Sequence, residues 1–94
     1  MRVRFARSAR KHGIARSRIL YVIEHCGLRF EQEPPAGSTA GNTVRLVYLG
    51  DDQAGVALEI MTVELAQGDL PVIHAMTLRE KYREQYEEAK EWRS

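Results

Sequence analysis

The fold is decided by residues 44–65, which read VRLVYLGDDQAGVALEIMTVEL. The Val, Leu and Tyr residues at 44–50 favour a strand, and the polar run that follows them, which ends in glycine, favours a hairpin loop. Residues 56–65 then form a second apolar strand, so we expect the two strands to pair antiparallel. The alternation of the second strand changes phase between Ile60 and Met61, which predicts a β-bulge at this point.

Downstream of this hairpin, the sequence predicts one more strand and a terminal helix. A tight turn at residues 67–69 leads into an apolar strand at 70–76, which completes a three-strand meander. Thr77 and Glu80 have the T-x-x-E spacing of a capping box, so a helix is expected to begin at Thr77. The apolar stripe of that helix consists of residues three and four apart: Leu78, Tyr82, Tyr86 and Ala89.

Upstream of the hairpin, the sequence predicts a short strand and two helical segments. Residues 2–5 alternate polar and apolar side chains, as a strand does. Ser8 is a candidate cap for a short helical turn that ends at Gly13. Apolar residues at helical spacing then predict a helix over residues 15–26, and the Pro- and Gly-rich residues 34–42 predict a loop.

These elements together predict an α+β fold in a single domain that spans residues 1–94. We expect two layers, with the N-terminal helices and the C-terminal helix packed on one face of an antiparallel meander sheet. A chain of 94 residues of which 44% are hydrophobic is ordinary for one small domain. The predicted core consists mainly of Ile19, Val22, Ile23, Leu46, Tyr48, Leu58, Ile60 and Ile73.

The composition indicates a cytoplasmic protein that does not associate with membranes. No apolar run approaches the roughly 18 residues that a membrane-spanning helix needs. The N-terminal cations are not followed by the apolar segment that is typical of a secretory signal. Cys26 is the only cysteine, which fits a reducing compartment.

Positive charge is concentrated at the N-terminus. Residues 1–18 hold seven of the 14 Arg and Lys residues and none of the 13 Asp and Glu residues. One interpretation is a binding site for a polyanion on a scaffold that is otherwise acidic. The alternative is a solvated face whose cations pair with acids elsewhere in the fold.

The sequence offers neither a metal site nor a cofactor motif. The three histidines, His12, His25 and His74, lack the i,i+3 or i,i+4 spacing of metal ligands, and no C-x-x-C or H-E-x-x-H motif occurs. No glycine-rich phosphate loop follows a strand. We therefore expect that no metal and no cofactor takes part in the function.

Histidines and cations remain as candidates for chemistry. His12 and His74 are candidate catalytic residues, because histidine titrates near neutral pH. Arg79 is a third, because it lies in the first turn of the predicted terminal helix, whose N-terminus favours an anion; in this interpretation His74, Arg79 and that N-terminus together hold a phosphate. The candidate nucleic-acid-binding residues are Arg7, Arg10, Lys11, Arg16 and Arg83.

Structural roles are the alternatives for the same residues. His12 is equally consistent with an exposed histidine at a helix end, and His74 with a buried, hydrogen-bonded imidazole on the same strand face as Val72 and Met76. Arg79 and Arg83 are also consistent with solvated arginines that pair with neighbouring glutamates.

These residue types suit metal-free RNA cleavage. The 2′-hydroxyl of RNA is its own nucleophile, so the protein has only to accept one proton, donate another and stabilise a pentacovalent phosphate. Histidine and arginine side chains are sufficient for these tasks.

Three segments resemble the BrnT-like toxins of bacterial type II toxin–antitoxin systems, within the RelE/ParE-like superfamily. They are Lys11-His12-Gly13-Ile14 before a helix, Tyr48-Leu49-Gly50 before a hairpin, and Val72-Ile73-His74-Ala75-Met76 before the charged terminal helix. Where the family has Ser-Ala-Arg at the end of its last strand, this chain has His74-Ala75-Met76. The arginine position therefore holds Met76, which leaves two alternatives: Arg79 supplies the cation instead, or the cleavage activity is lost.

The resemblance implies a RelE/BrnT-like fold and ribosome-independent RNA cleavage. It also implies neutralisation by a cognate antitoxin protein, for which an acidic segment is expected, in a toxin–antitoxin heteromer. A homo-oligomer is the alternative assembly. Two other functions stay open: a non-catalytic member of the same fold that binds nucleic acid or a host protein, and a structural member of a protein complex.

Overall fold

The computed structural model describes residues 2–26, 28–32, 45–63 and 69–93 of the chain. These described residues form five strands, one 3₁₀ helix and two α-helices. In chain order they are β1 (Arg2–Phe5), the 3₁₀ helix (Arg7–Arg10), α1 (Arg16–His25), β2 (Leu28–Gln32), β3 (Arg45–Asp51), β4 (Ala57–Val63), β5 (Asp69–Thr77) and α2 (Glu80–Arg93).

The five strands form one mixed sheet in the order β1-β5-β4-β3-β2. Strands β2 to β5 pair antiparallel in succession, and β1 pairs parallel with β5 at the opposite edge. The α+β class and the β3–β4–β5 meander are thus confirmed. Strand β2 was not predicted from the sequence, and it extends the meander to four strands.

Helices cover both faces of the sheet. Tyr48 of β3 packs with Ile19 of α1, whereas its neighbours Val47 and Leu49 pack with Tyr82 of α2. Successive side chains of a strand point to opposite faces, so α1 and α2 lie on opposite sides of the sheet. The prediction of two layers with all helices on one face is therefore wrong.

The core accordingly has two parts, of which the sequence prediction found one. Seven of the eight predicted core residues lie in the cluster on the α1 side, and Ile73 alone belongs to the cluster on the α2 side. The uninterrupted apolar run at 46–49 is the pattern of a strand buried on both faces.

The predicted hairpin between β3 and β4 is confirmed, and the carboxylate of Asp52 organises it. Asp52 accepts hydrogen bonds from the backbone N–H groups of Ala54 (2.8 Å) and Val56 (2.9 Å). Its second oxygen pairs with Arg18 Nε at 2.6 Å, which ties the loop to α1. Gly55 has φ +81°, a conformation that favours glycine.

A register irregularity occurs where the phase change of β4 predicts one, but the extra residue lies on the partner strand. Met61 opposes His74 and Thr62 opposes Val72, so Ile73 of β5 has no partner of its own on β4. Since Met61 packs on the α2 side, His74 lies on the α2 side, whereas Val72 packs on the α1 side. The prediction that His74 shares a face with Val72 is wrong for this reason.

Two predicted helix starts are also corrected. Ser8 does not cap the N-terminal turn, since it lies inside the 3₁₀ helix and donates its hydroxyl to the backbone carbonyl of Ile73. Thr77 is the last residue of β5, and α2 begins at Glu80. The predicted bounds of α1 and β1 agree with the structure to within one residue.

The predicted loop at residues 34–42 and most of the turn at 67–69 lie outside the described residues. Neither helix in the described part of the chain is both long enough and apolar enough to cross a lipid bilayer.

Candidate functional site

The candidate site is built around the buried carboxylate of Glu59, in the middle of β4. Glu59 is 0% exposed. Its chain neighbours Leu58 and Ile60 pack on the α1 side, so its side chain points to the α2 side of the sheet. Such a position is normally apolar, and an unpaired carboxylate there would be strongly unfavourable.

Four contacts from two residues satisfy this carboxylate. Arg79 reaches Oε2 through Nη2 at 2.6 Å and through Nε at 2.8 Å, and its backbone N–H donates to Oε1 at 2.8 Å. His74 Nε2 lies 2.9 Å from Oε2. His74 and Arg79 are both partly exposed, with side-chain exposures of 21% and 38%, so the cluster connects the sheet interior with the surface.

The contacts decide the charge states of the cluster. Burial by itself raises the pKa of Glu59, but the hydrogen bonds from Arg79 and His74 outweigh it, and the net pKa lies below the usual value. The bond to Glu59 raises the pKa of Arg79. At neutral pH, Glu59 is therefore ionised and Arg79 is charged.

His74 is neutral at pH 7. Burial lowers its pKa most, and the charges of Arg79 and His12 lower it further, against the opposing effect of Glu59. An ionised carboxylate only accepts hydrogen bonds, so Nε2 of His74 must carry the hydrogen that bonds Glu59. The neutral ring then has an unprotonated Nδ1, which is able to accept a proton.

His12 lies next to His74, with their ring centroids 6.0 Å apart in an edge-to-face arrangement. This approach is possible because β1 ends opposite Val72, so that no other described strand lies beside the rest of β5 on this side. The 3₁₀ helix occupies that place and is held there by the Ser8 hydrogen bond to the backbone of β5. His12 follows this helix and is exposed.

The predicted catalytic residues His12, His74 and Arg79 are thus brought into one cluster. The three cations of the 3₁₀ segment, Arg7, Arg10 and Lys11, are exposed next to it and line a shallow surface pocket together with Ser8. Among the described residues, none of these three cations forms an ion pair.

Arg16 and Arg83 have other contacts. The guanidinium of Arg16 lies over the ring of Phe5, 5.2 Å from its centroid. Arg83 pairs with Glu80 at 3.4 Å and with Glu87 at 3.5 Å, as the predicted solvated arginine would.

One expectation about phosphate binding needs correction. The sequence predicts that His74, Arg79 and the N-terminus of the last helix hold a phosphate between them. In the structure, the carboxylate of Glu59 takes that place and accepts the Arg79 backbone N–H. Any phosphate must therefore bind on the outer side of Arg79 and His74.

Glu59 is the site residue that sequence reasoning missed. The alternating pattern of the predicted strand places Glu59 between Leu58 and Ile60 and gives it no functional role. The available signal was a carboxylate inside the apolar run at 56–63, because a buried acid requires cationic partners elsewhere in the chain.

Among the described residues, no three His, Cys, Asp or Glu side chains are grouped as ligands for a metal ion. Comparison of the chain with protein-family models, with curated proteins and with solved structures gives no match. The likeness to BrnT-like toxins therefore depends on the three sequence segments alone.

Proposed function

We propose that this protein is an endoribonuclease that cleaves RNA without a metal ion. The observation that carries the proposal is the cluster itself: two histidines with ring centroids 6.0 Å apart, one of them held by a buried carboxylate that also holds an arginine. One phosphodiester group is small enough to hydrogen-bond to both rings at this separation. The exposed cations of the 3₁₀ helix supply contacts for the flanking phosphates.

In the proposed reaction, His74 is the general base and His12 the general acid. Nδ1 of His74 accepts the proton of the 2′-hydroxyl, and the 2′-oxygen attacks the adjacent phosphorus. The bond from phosphorus to the 5′-oxygen then breaks, and His12 donates a proton to that oxygen. The products are a 2′,3′-cyclic phosphate and a free 5′-hydroxyl, so atoms and charges balance without a water molecule.

Glu59 and Arg79 have supporting roles in this proposal. Glu59 is a positioning residue, because its carboxylate fixes the His74 tautomer that leaves Nδ1 unprotonated. Arg79 contacts Glu59 through Nε and Nη2, which leaves Nη1 to donate to the pentacovalent phosphate. A cation at this point takes the role that the family resemblance implies for an arginine at position 76.

We further propose, from the sequence resemblance, that the protein is the toxin of a type II toxin–antitoxin pair. The cations of the 3₁₀ helix are exposed and are the part of the N-terminal charge that an acidic antitoxin segment would contact. Such a partner would cover the same surface that RNA needs. Growth arrest on induction of this gene alone, relieved by a neighbouring gene, would support the toxin role, and clean induction without arrest would contradict it.

The test of the catalytic assignment uses purified protein and an end-labelled single-stranded RNA in buffer with EDTA. His12→Gln and His74→Gln are each expected to reduce the cleavage rate by about 100-fold or more, since each removes one proton-transfer group. His25→Gln is the matched control, because His25 is exposed on α1 and stacks on Tyr21 outside the cluster. Cleavage by His74→Gln at the wild-type rate would contradict the assignment.

A second candidate function is RNA binding without cleavage. The observation that favours it is that Glu59 already satisfies His74 and Arg79, so the cluster is also explained as a structural ion-pair network. This version predicts RNA binding that weakens steeply as the salt concentration rises, with no cleavage products from the wild-type chain. The EDTA assay therefore separates the two candidates.

A further inference from the structure

Of the strands that the structure describes, β2 is the edge strand at the side of the sheet that lies farthest from the histidine cluster. Among the described strands its one partner is β3, so the outward-facing backbone groups of Leu28–Gln32 are not used by the described sheet. An unprotected edge strand is a template for pairing with another strand.

Half-buried and exposed side chains alternate along β2. Arg29 and Glu31 are exposed and lie on one face, and Leu28 and Phe30 are half-buried on the other. Neither Arg29 nor Glu31 forms an ion pair with any described residue. Within the described part of the chain, the edge thus carries one positive and one negative charge that lack an ion-pair partner and lie two residues apart.

We propose that two copies of this chain associate through antiparallel pairing of β2 with β2 of the second copy, centred on Phe30. In this register, Phe30 lies opposite Phe30, and Arg29 of each copy lies opposite Glu31 of the other. Two-fold symmetry produces this ion pair twice. The two sheets then continue as one sheet across the interface.

Charge complementarity selects this register over its neighbours. A symmetric pairing centred on Arg29 places two arginines opposite each other, and one centred on Glu31 places two glutamates opposite each other. Like charges in directly opposite positions destabilise a strand pair, whereas opposite charges stabilise it. A register centred on Phe30 is the one of these three that pairs each charge with its opposite.

An apolar cleft next to the edge favours the same partner. Leu28 and Phe30 of β2 and Ala89 of α2 line a cleft of about 400 Å³, with Gln85 and Glu88 at its rim. Because the pairing brings the second Phe30 against the first, the cleft is covered by the same symmetric contact. The dimer contact lies at the opposite side of the sheet from His12 and leaves His12 exposed, so the inference does not depend on the proposed function.

The test is the oligomeric state of the full chain, measured by sedimentation equilibrium with charge-reversal variants. The wild type is expected to dimerise at roughly 10–100 µM, as a small interface allows. Arg29→Glu and Glu31→Arg are each expected to weaken the dimer by about ten-fold or more, and the double variant R29E/E31R is expected to restore it. Arg10→Glu, the same charge reversal at the other side of the sheet, is the control and should have no effect.

A cross-link determines the register independently. In a Cys26→Ser background, Phe30→Cys is expected to form a disulfide-linked dimer on oxidation, because opposite residues of an antiparallel pair have Cα atoms about 4.5–5.5 Å apart. Arg29→Cys in the same background should not cross-link. Circular dichroism of each variant establishes that it is folded.

Two results of the sedimentation experiment would overturn the proposal. One is a wild type that stays monomeric at about 100 µM, and the other is a folded double variant R29E/E31R that fails to regain the dimer.

Discussion

At the scale of single residues, Glu59 explains why His74 and Arg79 lie together. A buried carboxylate needs hydrogen bonds and a countercharge, and the two residues that supply them are also the two that reach the surface. The residue types of His12, His74 and Arg79 were sufficient to predict them as candidate catalytic residues. It did not indicate Glu59, because a contact between β4 and the segment before α2 depends on the tertiary fold.

We predict that Glu59→Gln destabilises the protein at neutral pH by about 2–4 kcal/mol. The change removes the countercharge and leaves the Arg79 guanidinium without its ion pair, and the loss is below that of a fully buried pair because Arg79 is 38% exposed. Urea denaturation measures the difference in the free energy of unfolding. Glu84→Gln, at an exposed position of α2, is the control and should change it by less than about 0.5 kcal/mol.

The same cluster makes stability depend on pH in a defined direction. The folded-state pKa values of His74 and Glu59 both lie below their ordinary values of 6.5 and 4.5. The unfolded chain therefore binds protons more readily, and stability falls as the pH drops below 6.5 and again below 4.5. The difference in the free energy of unfolding between wild type and Glu59→Gln should become smaller as the pH falls below 4.5. A difference that stays constant down to about pH 3 would contradict the role of the carboxylate.

At the scale of elements, the sequence predicts correctly those helices and strands whose pattern lies within one short stretch of the chain. The β3–β4 hairpin follows from a polar loop between apolar strands, and α1 from its helical spacing. Strand β2 was missed because Leu28 and Phe30 stand between a glycine and the proline-rich residues 34–42, a context that favours a loop. The start of α2 was placed too early because the T-x-x-E pattern at residues 77–80 fits a capping box while β5 pairing extends through Thr77.

The tight hairpin loop provides a test at this scale. We predict that Gly55→Ala lowers the free energy of unfolding by about 1–2 kcal/mol, because an L-residue is strained at φ +81°. Apart from the glycine and its two chain neighbours, no heavy atom of the described residues lies within 4 Å of the added Cβ, so the cost comes from the backbone conformation. Val56→Ala is the control in the same loop, since this side chain is 39% exposed. Equal stability of Gly55→Ala and wild type in urea denaturation would contradict the described turn.

At the scale of the whole molecule, the structure divides the N-terminal charge into two groups. Arg4 pairs with Asp69 at 3.2 Å, and Arg18 pairs with Asp52 at 2.6 Å, so these cations have acidic partners within the fold. The cations of the 3₁₀ helix remain exposed beside His12. Both interpretations of the basic segment therefore apply, each to a different part of it.

The two proposed surfaces lie at opposite edges of one sheet. The histidine cluster is at the β5 side, where β1 is too short to cover the strand, and the proposed dimer contact is at the β2 edge. The positions of the two edges could not be predicted from the sequence, because the strand order and the placement of helices on both faces depend on long-range pairing.

The most direct test of the proposed chemistry is cleavage of an RNA with a single 2′-deoxynucleotide on the 5′ side of a cleaved bond, in the presence of EDTA. If His74 activates the 2′-hydroxyl as the nucleophile, cleavage at that bond should be lost while cleavage at the other bonds continues unchanged. Continued cleavage at the deoxynucleotide, or loss of all cleavage in EDTA, would contradict metal-free catalysis by the cluster of His12, His74, Glu59 and Arg79.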